Sequence, residues 1–144
     1  DGKSFFLSEY LVDGMHLDDY LSSFTDERQK RRALKDLALW LKKILDCNIW
    51  HRDFKSSSVL CQNGHYYLVD LDEVRIHRLR EENKILFLGQ LNAFLSDAIT
   101  CKDRLRFYYY YSAEKRPPRQ QRRKIYRKVG ELKFSKTIKS AEHK

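Results

Sequence analysis

The sequence predicts an α+β domain that is mostly helical and carries one β-hairpin. Three observations point there. Leucine and alanine recur with helical period through residues 26–47, an Asn-Gly pair separates two β-prone runs at residue 63, and two more helix-type stretches follow at 78–98 and 101–112. The chain has 144 residues, 42 % apolar and 34 % charged, which suits one domain with its own core. No run of 18 apolar residues occurs, so no membrane-spanning helix is expected. Three cysteines (Cys47, Cys61 and Cys101) are too few for a disulfide framework and lack paired metal-site spacing. They are read as buried thiols in a reducing compartment.

The elements follow in order. Residues 4–12 are β-prone and read as a strand, ended by the breaker Asp13-Gly14. Residues 16–22 suggest a short helix. Ser23 with Asp26 makes a capping-box pattern. In the long helix at 26–47, Leu34, Leu37, Ala38, Leu41 and Leu45 stand at i, i+3, i+4, i+7 and i+11 and form one apolar face. Arg28, Lys35 and Lys42 recur on another. Residues 58–62 and 65–71 flank Asn63-Gly64, a hairpin signal because both turn residues take positive φ. In the helix at 78–98, Leu79, Leu86, Leu91 and Leu95 are expected to face the core. The helix at 101–112 is rich in tyrosine, and Pro117-Pro118 breaks the chain after it. Beyond the prolines, Ile125, Val129 and Leu132 form a weak apolar stripe.

Charge divides the chain in two. Residues 1–112 hold 17 Lys and Arg against 17 Asp and Glu; residues 113–144 hold 12 against 3 and so carry the whole net charge of +9. A neutral domain at 1–112 therefore bears a basic tail at 113–144, helical or partly disordered. Three readings of the tail stay open: a solvated end, contact with an anionic membrane surface, or nucleic acid, for which no base-reading motif is present.

The chemistry concentrates in two segments. His51-Arg52-Asp53-Phe54-Lys55-Ser56-Ser57-Ser58 is a loop between the long helix and the hairpin, and Val69-Asp70-Leu71-Asp72 closes the hairpin's second strand. A hairpin returns the chain toward its start, so Asp70 is expected back near Asp53. Two carboxylates and one ammonium in one place suit metal-assisted phosphoryl transfer. One carboxylate orients the attacking hydroxyl, the other holds Mg²⁺, and the lysine offsets charge on the transferred group.

These segments resemble known ones. His51-Arg52-Asp53-Phe54-Lys55 is similar to the catalytic loop of the protein-kinase-like fold, and Val69-Asp70-Leu71-Asp72 to its metal-binding segment. Residues 6–14 resemble its hinge strand and linker. Trp50 before the loop, Glu73-Val74-Arg75 after the second segment, and Asp103-Arg104-Leu105-Arg106-Phe107-Tyr108 are similar to the lipopolysaccharide kinase (Kdo/WaaP) family. The resemblance covers about residues 1–112. It implies the C-terminal (large) lobe of the kinase-like fold, beginning at the hinge strand, with a β-hairpin after the catalytic loop.

It also implies roles. Asp53 is the catalytic Asp, and Lys55 lies near the γ-phosphate of ATP. Asp70 binds Mg²⁺, and Ser58 stands where a second metal ligand, often Asn, is usual. Glu9, Tyr10 and Leu11 form the hinge that holds adenine, with Leu60 as its apolar floor. His51 and Arg52 shape the loop. The implied reaction is transfer of phosphate from ATP to a sugar hydroxyl, on heptose or Kdo, of the lipopolysaccharide inner core or a lipid A-linked sugar. The enzyme is expected to be cytoplasmic and peripheral to the inner membrane.

Some features depart from that pattern. No Gly-rich loop or Lys-bearing strand precedes the hinge, and the chain opens on Asp, so it is read as a fragment lacking the small lobe and inactive alone. Another kinase of the same fold and a non-catalytic kinase-like scaffold remain as alternatives. His16, His65 and His77 are read as ordinary histidines. Asp72 is read as a solvated or ion-paired carboxylate, or else a third acidic ligand. The basic run at 28–32 is read as a solvated helix face, or else a contact for anionic lipid A. The tyrosine run is read as packing, or else a stacking surface.

Overall fold

The computed structural model describes residues 11–95 and 99–112. At residues 11–14 the Gly14 N–H donates to the Leu11 carbonyl at 3.2 Å. This end of the expected strand is therefore a turn, because the Asp13-Gly14 breaker reverses the chain two residues early; residues 4–10 lie outside the described residues. A two-residue strand, β1 (Met15–His16), runs into α1 (Leu17–Ser22), where Leu17 and Leu21 are buried. Ser23 closes α1. Its N–H bonds the Asp19 carbonyl at 2.9 Å and its hydroxyl donates to the Tyr20 carbonyl at 2.7 Å. It is thus a stop signal and not half of a capping box. Asp26 itself caps α2 (Glu27–Asp46), its carboxylate accepting the Arg28 N–H at 2.8 Å.

In α2 the five residues of the expected stripe, Leu34, Leu37, Ala38, Leu41 and Leu45, are all fully buried. Each leucine so buried contributes about 1.5–3 kcal/mol. The exposed pairs on the same helix, Arg31–Glu27 and Lys42–Asp46, contribute about 0.5 kcal/mol each at most. The apolar face therefore decides how α2 sits. α4 (Cys101–Ser112) lies against it, with Phe107 buried and Tyr110 and Tyr111 packed on the rim of the core. The tyrosine run serves packing.

Lys30 breaks the expectation for the basic run at 28–32. It is buried, with its ammonium 3.6 Å from the carboxylate of Asp103 on α4. Its position three and four residues before Ala33 and Leu34 turns it to the inner face. Asp103 is saturated there. The Thr100 hydroxyl donates to it at 2.6 Å, the Thr100 N–H at 3.2 Å and the Arg106 guanidinium at 3.0 Å. Burial pushes this carboxyl up, but the Thr100 hydroxyl, Lys30, the Thr100 N–H and Arg106 together outweigh it and hold it below the ordinary range.

The hairpin consists of β3 (Val59–Gln62) and β4 (His65–Leu68), antiparallel, with Gln62 opposite His65. Asn63 and Gly64 have φ of 52° and 77°, as a two-residue primed turn requires. β1 adds to the other edge of β3. The Tyr66 hydroxyl donates to the Ala33 carbonyl at 2.7 Å and docks the hairpin on α2. β4 stops at Leu68, short of the expected residue 71, because Asp70 is left-handed.

A second sheet pairs β2 (Ile49–His51) with β5 (Val74–Ile76). Neither strand is long enough to show a sequence period. α3 (Glu81–Phe94) is shorter than the expected 78–98, of which 96–98 lie outside the described residues. The Asn83 side chain accepts the Arg80 N–H at 3.0 Å and sets the start. Leu79 and Leu95 are buried just beyond the helix ends. Leu86 is 44 % exposed instead of core. The true apolar line is Phe87, Leu91 and Leu95, at i, i+4 and i+8, and Leu86 is one residue off it.

Only Cys61 is a buried thiol, pushed up to about 12 by burial; Cys47 and Cys101 are exposed. Both end up at helix termini, outside the apolar stripes. Among the described residues no helix is long and apolar enough to cross a membrane. The basic tail at 113–144 lies outside the described residues.

Candidate active site

The site is built where α2 ends. Asn48 takes φ of 60°, reversing the chain after the helix. Its carbonyl accepts the His77 N–H at 3.1 Å and its side-chain oxygen accepts the Leu79 N–H at 3.0 Å. β2 is thereby fixed beside β5, with Trp50 opposite Arg75 and His51 opposite Val74. One residue on, the Arg52 N–H donates to the Glu73 carbonyl at 3.0 Å. The Arg52 guanidinium grips the Glu73 carboxylate with two bonds of 2.7 and 2.9 Å, which raises its already high pKa further.

His51 is buried, with Nε2 3.3 Å from the Val69 carbonyl. A carbonyl only accepts, so Nε2 carries the proton; Nδ1 is buried without a partner. Phe54 is buried and stacks on Phe87 of α3, centroids 4.1 Å apart, which pins the middle of the loop. These contacts give His51, Arg52 and Phe54 the loop-shaping work.

Asp53 and Lys55 project from that braced loop and form an ion pair with each other. Asp53 is exposed and Lys55 half-buried, with its ammonium 5.9 Å above the Phe94 ring. The Ser56 hydroxyl lies 3.0 Å from the Asp18 carboxylate and 3.2 Å from the Phe94 carbonyl, seating the loop on α1 and α3. Ser58 is buried. Its hydroxyl accepts the Lys55 N–H at 3.2 Å and donates to the Asp53 carbonyl at 3.4 Å, closing the loop on itself.

The second acidic segment is tied to the first at both ends. The Val69 N–H donates to the Ser58 carbonyl at 3.0 Å, and Glu73 is held by Arg52 as described. Asp70 lies between these ties. It is exposed, with φ 56° and ψ 51°, a left-handed conformation that costs a non-glycine residue about 1 kcal/mol or more. Asp72 is exposed as well. The fold thus returns the Asp70 segment to the Asp53 loop. The mediating sheet, β2 with β5, was not legible in the sequence.

Of the expected nucleotide contacts, Glu9 and Tyr10 lie outside the described residues. Leu11 and Leu60 are half-buried and converge on Gly14: a Cβ there would meet Leu11 Cβ at 3.3 Å and Leu60 Cδ1 at 3.6 Å. Sequence reasoning missed Asn48, Ser56 and Phe94. Asn48 carries a readable signal, an asparagine just past a helix end. Ser56 and Phe94 carry none, because their partners are 38 residues away in sequence.

Acidic groups on two tied loops, with a lysine beside one of them, suit phosphoryl transfer. The model of the lipopolysaccharide kinase (Kdo/WaaP) family matches residues 2–111, and the chain belongs to that family of kinases. No curated protein matches the chain.

Proposed function

We propose that the chain carries the catalytic loop of an ATP-dependent kinase that phosphorylates a sugar hydroxyl, on heptose or Kdo, of the lipopolysaccharide inner core. The observation that carries this reading is the Asp53–Lys55 pair on a loop bound at both ends to the segment of Asp70. In this reading Asp53 orients the acceptor hydroxyl and takes its proton, a role typically worth about 10²–10⁴-fold in rate. Lys55 balances charge on the γ-phosphate. Asp70 holds Mg²⁺, with the Ser58 oxygen as a weaker neutral donor, since two of that hydroxyl's contacts already go to the loop. Mg²⁺ at nucleotide sites is commonly held by one or two carboxylates, with phosphates and water completing the shell. A single exposed carboxylate, that of Asp70, is a donor of the kind that holds a metal arriving with the nucleotide. Glu9, Tyr10 and Leu11 would hold adenine over Leu60.

The enzyme would work at the cytoplasmic face of the inner membrane as a peripheral protein, its basic tail drawn to anionic lipid. The engagement of Ser58 by its own loop favours a second reading, a kinase-like scaffold without turnover. The test is transfer from ATP with Mg²⁺ to purified lipopolysaccharide core, using protein expressed from its full open reading frame beside an Asp53→Ala variant. Phosphate on the sugar only with Asp53 intact is the expected result. Neither transfer nor binding of Mg²⁺–ATP would overturn the kinase reading and leave the scaffold.

A further inference from the structure

The segment after the Asp70 loop holds β2 in place through its backbone, but the exposed side chains of Arg75, Ile76, Arg78 and Arg80 take no part in the site described above. Residues 74–80 read Val-Arg-Ile-His-Arg-Leu-Arg, three arginines and no acid, with Glu81 and Glu82 following in α3. β5 pairs only with β2 among the described residues, so its outer edge is open. Ile76 on it is 78 % exposed, the most exposed of the large apolar side chains among the described residues. Arg75, Arg78 and Arg80 are exposed too. Arg75 donates from Nη1 to the Asp72 and Val74 carbonyls, and none of the three arginines is in an ion pair among the described residues. Side chains alternate along a strand, so Ile76 and Arg75 flank the edge from opposite faces. Guanidinium groups with no ion pair among the described residues, on the same segment as one exposed aliphatic side chain, suit a surface that offers anionic headgroups above hydrocarbon. A soluble anion would have no use for Ile76.

We infer that the open edge of β5, with Arg75, Arg78, Arg80 and Ile76, docks the domain edge-on against an anionic lipid surface. This rests on the proposed function only for its meaning: a lipid-borne acceptor would then be presented beside the catalytic loop. The register supports that placement, because Arg75 is paired with Trp50, three residues before Asp53. The residues of this contact are separate in sequence from the basic tail.

The test is sedimentation of the full chain with vesicles of phosphatidylglycerol and phosphatidylcholine, against vesicles of phosphatidylcholine alone, without nucleotide. The wild type is expected to bind the anionic vesicles and not the neutral ones. Arg78→Glu/Arg80→Glu should weaken partitioning by at least about twenty-five-fold, about fivefold for each of the two positive charges removed, with the added carboxylates weakening it further. Arg78→Lys/Arg80→Lys should bind as the wild type, because a lipid surface responds to positive charge. Ile76→Ser, which removes the apolar side chain without adding charge, should weaken vesicle binding but leave binding to soluble polyphosphate unchanged. Thermal unfolding of each variant confirms folding. Wild-type partitioning by Arg78→Glu/Arg80→Glu would overturn the inference and assign binding to residues 113–144. Vesicle binding indifferent to Ile76→Ser would overturn it in favour of a soluble anionic ligand. Because neither readout involves phosphate transfer, loss of the kinase reading would leave this result standing, and the reverse.

Discussion

The chain contains two lysine–aspartate pairs with opposite surroundings. Lys30 and Asp103 meet between α2 and α4, with side chains 10 % and 1 % exposed, and Thr100 and Arg106 fill the remaining acceptor sites of the carboxylate. Lys55 and Asp53 meet on the loop between β2 and β3, 39 % and 54 % exposed. In the first, burial makes each partner indispensable to the other, so the pair locks two helices together. In the second, water screens the attraction, and both groups stay open to solvent. Residue type does not distinguish a buried strut from an open pair; the donors around it and its access to water do.

The largest effect should come from breaking the buried pair. Asp103→Ala takes the carboxylate away from the buried Lys30 ammonium, and we expect a loss of about 3–5 kcal/mol in urea unfolding. An effect below about 1 kcal/mol would mean that water reaches Lys30. The same carboxylate predicts acid sensitivity. Its folded pKa lies below the unfolded value of about 3.9. Its stabilisation is therefore complete above the unfolded value and lost as pH falls through the lower folded one. Stability of the wild type should fall in that window, and Asp103→Asn should flatten that part of the curve.

Next comes Leu41→Ala, on the same buried face of α2 about three turns further on. The side chain is fully buried, and a cost of about 3 kcal/mol is expected by the same measurement. Asp53→Asn should change stability by less than about 0.5 kcal/mol while removing phosphate transfer. A large loss of stability there would show that the exposed pair is structural after all. The smallest effect is chemical. With a thiol reagent under native conditions Cys47 and Cys101 should react and Cys61 should not, until denaturant exposes it. Rapid labelling of all three would show that the hairpin opens.

The contrast also explains what the sequence revealed. The α2 stripe and the Asn63-Gly64 turn were legible because each is a local rule, helical period in one case and positive φ in the other. Asp53, Lys55 and Asp70 were legible as a motif. Lys30 was not, since a lysine among arginines looks solvated until a carboxylate from α4 reaches it. The β2–β5 sheet was hidden because three-residue strands carry no period. The end of α3 was hidden because Arg104, on another helix, takes the carbonyls of Asn92, Leu95 and Ile99.

The left-handed backbone of Asp70 has a consequence for anyone evolving this protein in the laboratory. Glycine adopts that conformation without steric cost, so Asp70→Gly should fold at least as well as the parent. A screen that rewards only expression or heat resistance would therefore enrich glycine at this position and discard the carboxylate in the same step. Libraries covering residue 70 need selection for phosphate transfer from the first round.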